Sequence, residues 1–287
     1  MVRGPALMLA GIGLFGLLDA NSKLLSDSHP VWQVLLVRFV TLLVVVGAMR
    51  AVMPGWGGAL TPRFPRLHAL RAVVMLGSAT FFFMAFSLLP LAEGYLVFFC
   101  SPFIVLALSA IALREAVSRA AWAWSALGFG GVALGLAPSL TTGIGGAPLL
   151  GYVYALGGTL CYSAVFILNR QLRQDTGMAR VLFWPSLLGL AVTLPLGLLQ
   201  WQPPSLFSLA QMVGNGLVVG LATVALAEAF RHASAARLAP FGYSGLVWSL
   251  TWDFAFWARL PPAATLGGAV VVIVACVMSE RAAQRPR

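Results

Sequence analysis

Charged side chains are few inside the long apolar stretches of this 287-residue chain, and Asp19, Arg38 and Asp253 are the most informative of them. An ionisable group in the hydrocarbon of a bilayer costs several kcal/mol unless it is paired or wetted, so each is a candidate for function. At the rise of an α-helix, Asp19 and Arg38 both lie roughly 10 Å below one membrane surface. We predict that they pair, as a gate or ion-sensitive site or as a structural salt bridge between the first two helices.

Asp253 lies among three tryptophans near the end of a later apolar stretch, namely Trp248, Trp252 and Trp257. A carboxylate in such surroundings can meet the ammonium group of a substrate or take part in ion coupling. The alternative is an interfacial carboxylate that is wetted from outside.

Aromatic and small polar side chains share faces of several predicted helices, at i, i+4 and i+7 spacing. Such faces would wall a cavity for a flat, apolar molecule with a polar end, because rings stack and hydroxyls and amides form hydrogen bonds. The alternative is helix packing through small and hydroxylated residues. The predicted cavity residues are Ser78, Phe82, Tyr95, Phe99, Tyr162, Asn215, Tyr243 and Trp248.

Other kinds of chemistry fit the sequence poorly. An intramembrane aspartyl enzyme built on Asp19 and Asp253 is the main rival, but neither aspartate has a glycine-rich context that would bring a backbone close. The chain has no P-loop for ATP and no filter-like loop or ring of like charges for a channel. The three cysteines have no metal-ligand spacing. We therefore predict no catalytic residue, no metal and no cofactor.

The composition is that of a membrane protein. Hydrophobic residues make up 60% of the chain and charged residues only 9%, whereas charged residues are about a quarter of an ordinary globular domain. The net charge of +10 does not indicate nucleic-acid binding, because the basic residues stand at the ends of apolar runs and form no patch. The lipid bilayer is the expected surrounding.

Ten apolar runs have the length of about 20 residues that a helix needs to cross a bilayer. We therefore predict an all-α membrane protein with ten transmembrane helices joined by short loops. The predicted spans are 5–25, 31–52, 68–89, 91–113, 118–136, 148–170, 179–199, 206–230, 235–258 and 262–279.

The basic residues predict the orientation of these helices. With ten spans, fifteen of the 18 Lys and Arg residues lie on one side, Lys23 and Arg259 lie on the other, and Arg38 lies within a span. Because Lys and Arg near span ends are retained in the cytoplasm, both termini are predicted to be cytoplasmic.

The chain also divides into two related halves of five helices. The uncharged segment 139–147 is the predicted hinge, which gives a first repeat at 1–138 and a second at 147–287. Because five is odd, the second repeat must be inverted relative to the first, an architecture found in many secondary transporters. Short matches at offsets of about 144 to 147 residues support it, such as Ser22-Lys23 with Asn169-Arg170.

An ordered set of short motifs resembles the drug/metabolite transporter superfamily, whose members carry two copies of the EamA-type five-helix domain. Within that superfamily the chain is similar to YddG-type exporters of aromatic amino acids. The second repeat departs from the pattern, with Trp184 in the place of Arg38 and Pro261 in that of Glu115. The motifs are Asn21-Ser22-Lys23, Pro30 with Arg38, Leu-Pro-Leu-Ala at 89–92, Ser101-Pro102, Arg114-Glu115 and glycines at 128–135.

The resemblance implies a secondary transporter that exports small molecules, amino acids and aromatic ones among them, from a bacterial cell across its inner membrane. We expect substrate to bind near the midplane between the halves and to cross by alternating access. Pro102 and Pro240 lie inside the fourth and ninth spans, so these corresponding helices are expected to bend. A monomer is the favoured state, and other metabolites or drugs are the alternative substrates.

Overall fold

The computed structural model describes residues 3–112, 114, 117–142, 147–172, 175, 177–232, 238 and 241–284. All regular secondary structure in this described part is helical. Its helices are α1 (Arg3–Ser26), α2 (Val31–Val52), α3 (Pro65–Leu88), α4 (Leu91–Phe98), α5 (Ser101–Ala112), α6 (Arg119–Thr142), α7 (Ala147–Gln171), α8 (Met178–Leu199), α9 (Leu206–His232), α10 (Ser244–Trp257) and α11 (Ala263–Gln284).

The helices reproduce the predicted membrane spans. Eight stretches are long and apolar enough to cross a membrane, with α4 and α5 together forming one of them. The other two predicted spans correspond to α10 and to the apolar part of α11, Ala263–Ser279. Large apolar side chains such as Val44 and Leu221 are exposed on the outer faces, as lipid contact requires. The prediction of an all-α membrane protein is confirmed.

Two connections are shorter than the sequence predicted. Helix α6 continues to Thr142 and α7 begins at Ala147. Both edges of the predicted hinge 139–147, namely 139–142 and 147, are therefore helical. Hydropathy marks where the hydrocarbon ends, and a helix need not stop there. Helix α3 likewise begins at Pro65, three residues before the predicted start, because proline is well suited to the first helical turn. The exact division into repeats stays a prediction.

Helices of the two halves pack in a pattern that a pseudo-twofold axis predicts. Contacts between the halves include α1 with α9, α2 with α8, α3 with α7, α4 with α10 and α6 with α11. With α4 and α5 taken as one span, the described helices form ten spans. A pseudo-twofold axis would exchange spans 1–5 with spans 6–10 in order, and this exchange leaves the set of pairs unchanged. The first and eighth spans, for example, exchange with the sixth and third, and both pairs are in contact. This pairing fits two inverted repeats.

The fourth span is broken rather than bent. The amides of Phe99 and Cys100 donate to Tyr95 O and Val97 O, both at 3.0 Å, and α5 then begins at Ser101. Pro102 has no N–H to continue the helical ladder, but it is well placed in the first turn of α5. In the ninth span α10 begins after Tyr243, and Pro240 lies outside the described residues.

Glycines let α6 and α11 approach closely. A Cβ added at Gly268 would lie 2.5 Å from Gly131 O and 2.6 Å from Gly135 Cα, both backbone atoms. Gly131 and Gly135 are four residues apart, the spacing at which small residues bring membrane helices together. The hydroxyl of Thr265 donates to Gly135 O at 3.0 Å across the same contact.

Candidate functional site

Asp19 on α1 forms a hydrogen bond with a tyrosine. The phenol of Tyr95 on α4 donates to Asp19 Oδ2 at 2.7 Å. Arg38 on α2 donates from Nη2 to Ser22 Oγ at 3.0 Å, one helical turn from Asp19. Among the described residues no N···O contact of 4.0 Å or less joins Asp19 and Arg38. Their predicted role as a gate stays a prediction.

A polar cluster surrounds the Ser22 hydroxyl between α1 and α9. Asn215 donates to Ser22 Oγ at 3.2 Å and accepts from Asn21 Nδ2 at 2.7 Å. Gln211 donates to Asn21 Oδ1 at 3.1 Å, and Ser22 itself donates to Leu18 O. Asn215, a predicted cavity residue, is therefore held by hydrogen bonds to Asn21 and Ser22 of α1, and its predicted role in a cavity stays a prediction.

A second buried carboxylate was not identified in the sequence. Glu93 on α4 is 7% exposed and accepts a hydrogen bond from the phenol of Tyr152 on α7. It stands two residues after the start of α4, close to the predicted end of a span, where a carboxylate is easily taken for an interfacial residue. Its position within an otherwise apolar run was the available signal.

Asp253 and Lys23 hold the junction between α3 and α4. Asp253, 2% exposed, accepts hydrogen bonds from the amides of Leu91 and Ala92 at 3.1 and 2.8 Å, which are free donors in the first turn of α4. Lys23 donates to the carbonyls of Phe86 and Leu89 at the end of α3. Asp253 thus caps a helix in this conformation, and its predicted substrate contact stays a prediction.

Aromatic side chains form a connected cluster that starts at Tyr95. The ring of Tyr95 stacks on Phe86 and meets Phe98 edge-on, with centroid distances of 5.9 and 6.0 Å. Phe98 also meets Phe82 at 5.8 Å and Tyr162 at 4.9 Å. Tyr162 is 40% exposed, so one side of the cluster remains open. We call these five residues the aromatic cluster.

The other predicted cavity residues are dispersed. Phe99 and Tyr243 face each other at 6.1 Å, and Phe99 is buried in the core. Trp248 stacks on Trp252 and packs over the glycine face of α1 at Gly13. Ser78 donates to Gly158 O at 3.3 Å, which serves helix packing between α3 and α7. The structure therefore brings Phe82, Tyr95 and Tyr162 together in the aromatic cluster, whereas the other predicted cavity residues lie outside this cluster.

Two apolar clefts lie away from these residues. One, of about 330 Å³, runs between α3 and α8, and the other, of about 430 Å³, lies over α5, α6 and α7. Exposed side chains such as Trp122 and Phe129 border the second cleft, as on a lipid-facing surface. Neither cleft is lined by a residue of the candidate site.

A buried polar cluster ties two loops at the opposite end of the bundle from Lys23. Asp175 accepts hydrogen bonds from the amides of Arg63 and Phe64 at 2.7 and 3.1 Å, and it contacts His68 Nε2 at 3.1 Å. It also pairs with the guanidinium of Arg180. Burial raises the pKa of this carboxyl, but these four partners outweigh burial and hold its pKa below the ordinary value.

Known proteins with similar sequences are named as transporters. Residues 149–280 match the model of the EamA-like transporter family. The pseudopaline exporter CntI of Pseudomonas aeruginosa is 28% identical, over 93% of this chain and 92% of the relative. The S-adenosylmethionine uptake transporter of Rickettsia felis is 27% identical, over 93% and 91%. A solved crystal structure has the same fold, with a TM-score of 0.68, 19% identity and 98% of each chain covered.

The fold and these relatives define a multi-pass membrane transporter of small molecules, and the chain is not an enzyme. The resemblance found in the sequence is confirmed. Residues 149–280 are similar to the EamA-like transporter family, and the relatives that match over most of the chain are named as transporters.

Proposed function

We propose that this protein is a secondary transporter that exports amino acids, aromatic ones included, by alternating access. The observation that carries the proposal is the aromatic cluster, which begins at the Asp19 and Tyr95 pair and ends at the partly exposed Tyr162. A carboxylate suits the ammonium group of an amino acid, and a group of rings suits an aromatic side chain.

The position of the cluster supports alternating access. Its members come from α3 and α4 of the first half and α7 of the second half. Substrate bound there would contact both repeats, whose pseudo-symmetry makes the two oppositely open states similar in energy. The break between α4 and α5 gives the fourth span a place to move without unfolding.

Export is the less constrained part of the proposal. The two relatives are named for opposite directions, since CntI is an exporter and the Rickettsia protein an uptake transporter. A carrier without ion coupling follows the gradient of its substrate. We propose export from the resemblance to the aromatic amino acid exporters, with the protein in the bacterial inner membrane, both termini in the cytoplasm, and a monomer as the working unit.

Transport by purified protein tests the function. Proteoliposomes would be loaded with labelled tryptophan, phenylalanine, leucine or S-adenosylmethionine, and efflux followed with and without a pH gradient. We expect the aromatic amino acids to leave the proteoliposomes faster than they leave equally loaded liposomes that contain no protein. If S-adenosylmethionine alone moves, amino acid transport is contradicted and the relatives' class of substrate replaces it.

Variants of the aromatic cluster locate the site. Phe82→Ala and Tyr162→Ala should each raise the apparent KM for tryptophan about fivefold or more, because each substitution removes a ring on which the substrate would stack. Phe254→Ala is the matched control, since Phe254 is 58% exposed on the outer face of α10. Unchanged KM and rate in both cluster variants would show that substrate binds elsewhere.

A further inference from the structure

We propose that Asp19 and Arg38 bind the two charged ends of a zwitterionic substrate, with Asp19 receiving the ammonium group and Arg38 the carboxylate. This inference rests on the proposed transport of amino acids and adds the substrate group and its contacts. It replaces the direct salt bridge that the sequence predicted between these two residues.

Arg38 has hydrogen-bonding capacity that the protein leaves unused. The side chain is 6% exposed, and in the described part of the chain it donates to one acceptor, Ser22 Oγ. Its Nε is buried without a partner. A guanidinium has five N–H donors, and leaving them unpaired in a buried place is costly. A carboxylate that accepts two parallel hydrogen bonds would satisfy them.

Asp19 is the matching acceptor. Within the described residues it accepts one hydrogen bond, from Tyr95, although a carboxylate has about four acceptor positions. The residue as a whole is partly exposed. An ammonium group there would add a charge-assisted hydrogen bond without displacing the tyrosine.

The spacing of the two charges suits an amino acid. Asp19 and Ser22 are three residues apart on α1 and so lie on one face, with about 5–6 Å between their Cβ atoms. Ser22 holds the Arg38 guanidinium, which places the charges about one helical turn apart and beyond ion-pair distance. The ammonium and carboxylate of an α-amino acid are joined through a single carbon, so in the proposed site each would meet one of these two side chains.

The aromatic cluster completes the site. Tyr95 binds Asp19 through its hydroxyl and meets Phe86 and Phe98 through its ring. An amino acid whose ammonium group is held at Asp19 therefore has aromatic rings next to its side chain. Recognition of the zwitterion and of the aromatic group are then neighbouring parts of one site.

Binding of three related ligands tests the proposal without any mutation. Calorimetry on the purified wild-type protein would compare L-tryptophan with tryptamine, which lacks the carboxylate, and with indole-3-propionate, which lacks the ammonium group. We expect tryptophan to bind about tenfold to a hundredfold more tightly than either analogue, since each analogue loses charge-assisted hydrogen bonds. Equal affinity for all three would overturn the zwitterion site.

Charge-removing variants assign the two ends. Asp19→Asn should weaken tryptophan and tryptamine about tenfold and leave indole-3-propionate unchanged. Arg38→Gln should weaken tryptophan and indole-3-propionate and leave tryptamine unchanged. Asp27→Asn and Arg259→Gln are the controls, because both residues are exposed near the same end of the bundle. Equal losses for all three ligands in either charge variant would mean a purely structural role.

The proposed function and the zwitterion site fail in different ways. Wild-type protein that moves no amino acid in proteoliposomes contradicts the function. Wild-type protein that moves tryptophan but binds tryptamine and indole-3-propionate equally well keeps the function and loses the site. Arg38→Lys retains the charge without the bidentate fork and should bind tryptophan more weakly than wild type but more tightly than Arg38→Gln.

Discussion

The phenol of Tyr95 donates a hydrogen bond of 2.7 Å to the carboxylate of Asp19 and so joins α4 to α1. Two residues earlier on α4, Glu93 accepts a hydrogen bond from Tyr152 on α7. Two tyrosine–carboxylate hydrogen bonds therefore join the eight-residue helix α4 to the rest of the protein, one to α1 in the first half and one to α7 in the second half. Any movement of α4 relative to both helices must break these bonds.

Removing the Tyr95 hydroxyl should loosen α4. Tyr95→Phe keeps the ring in the aromatic cluster but leaves the Asp19 carboxylate without its donor, at a cost of about 0.5–2 kcal/mol. We expect a lower melting temperature in detergent and faster exchange between transport states. Thermal unfolding and transport rates measure the two effects.

Tyr154→Phe is the control for this change. Tyr154 lies on α7 and packs against Phe81 with a centroid distance of 6.3 Å, and its hydroxyl makes no hydrogen bond in the described structure. Its removal should leave stability within experimental error. Equal melting temperatures for Tyr95→Phe and Tyr154→Phe would show that the bond to Asp19 contributes nothing.

The cap supplied by Asp253 should matter for the same helix. Asp253→Ala leaves the amides of Leu91 and Ala92 unpaired and should destabilise the protein by about 1–2 kcal/mol. Lys23→Met should act at the same junction, so the double variant should lose less than the sum of the single losses. Double-mutant analysis of thermal unfolding measures this coupling. Strictly additive losses would mean that the two caps are independent.

The fold could be predicted from the sequence more completely than the site. Apolar run length and loop charge depend on the bilayer, and they predicted most spans to within a few residues, although α6 continues to Thr142 and α10 begins at Ser244. The rotation of each helix depends on packing, which depth alone does not determine. The prediction that pairs Asp19 with Arg38 used depth and opposite charge, and neither could reveal that Tyr95 also lies beside Asp19.

Two further contacts depended on neighbours that are distant in the chain. Asp253 was a predicted site residue, either in contact with substrate or wetted at the interface, but its binding to the first turn of α4 requires knowing that α10 packs there. Glu93 was missed because it stands near a span end, where charge is common. Its partner Tyr152 lies 59 residues further along the chain, and no local pattern connects them.

The contact between α6 and α11 should tolerate no side chain at Gly268. Gly268→Ala would bring a Cβ within 2.6 Å of backbone atoms of α6, which cannot move aside, and should destabilise the protein by about 1–3 kcal/mol. Gly267→Ala is a matched control on the same helix, because a Cβ there meets nothing within 4 Å. The melting temperatures of the two variants should be compared. Equal values for Gly268→Ala and Gly267→Ala would contradict the close approach of α6 and α11.

The Asp175 cluster should make stability depend on pH in the acid range. Because the pKa of Asp175 is lower in the folded protein than the ordinary value of about 3.9, the folded state binds fewer protons there than the unfolded state. Its contribution is complete above the ordinary pKa and is lost as pH falls through the folded value. Asp175→Asn should lower the melting temperature at pH 7, and the gap to wild type should narrow towards pH 3.

The control for the acid-range experiment is Asp27→Asn, at an exposed loop position. It should change the melting temperature little at either pH. A gap between wild type and Asp175→Asn that stays constant from pH 7 to pH 3 would contradict a charged contribution from Asp175.

The orientation that the basic residues predict is open to direct measurement. Of the two basic residues on the side predicted to be external, Lys23 is buried and caps α3, which leaves Arg259 as the exposed one. The structural task of Lys23 explains its exception to the charge rule and strengthens the asymmetry. In a background without the native cysteines, an impermeant maleimide on intact cells should label Asp27→Cys and not Arg66→Cys. Both positions are exposed, so permeabilised cells should label both, and the reverse pattern in intact cells would mean that the termini are external.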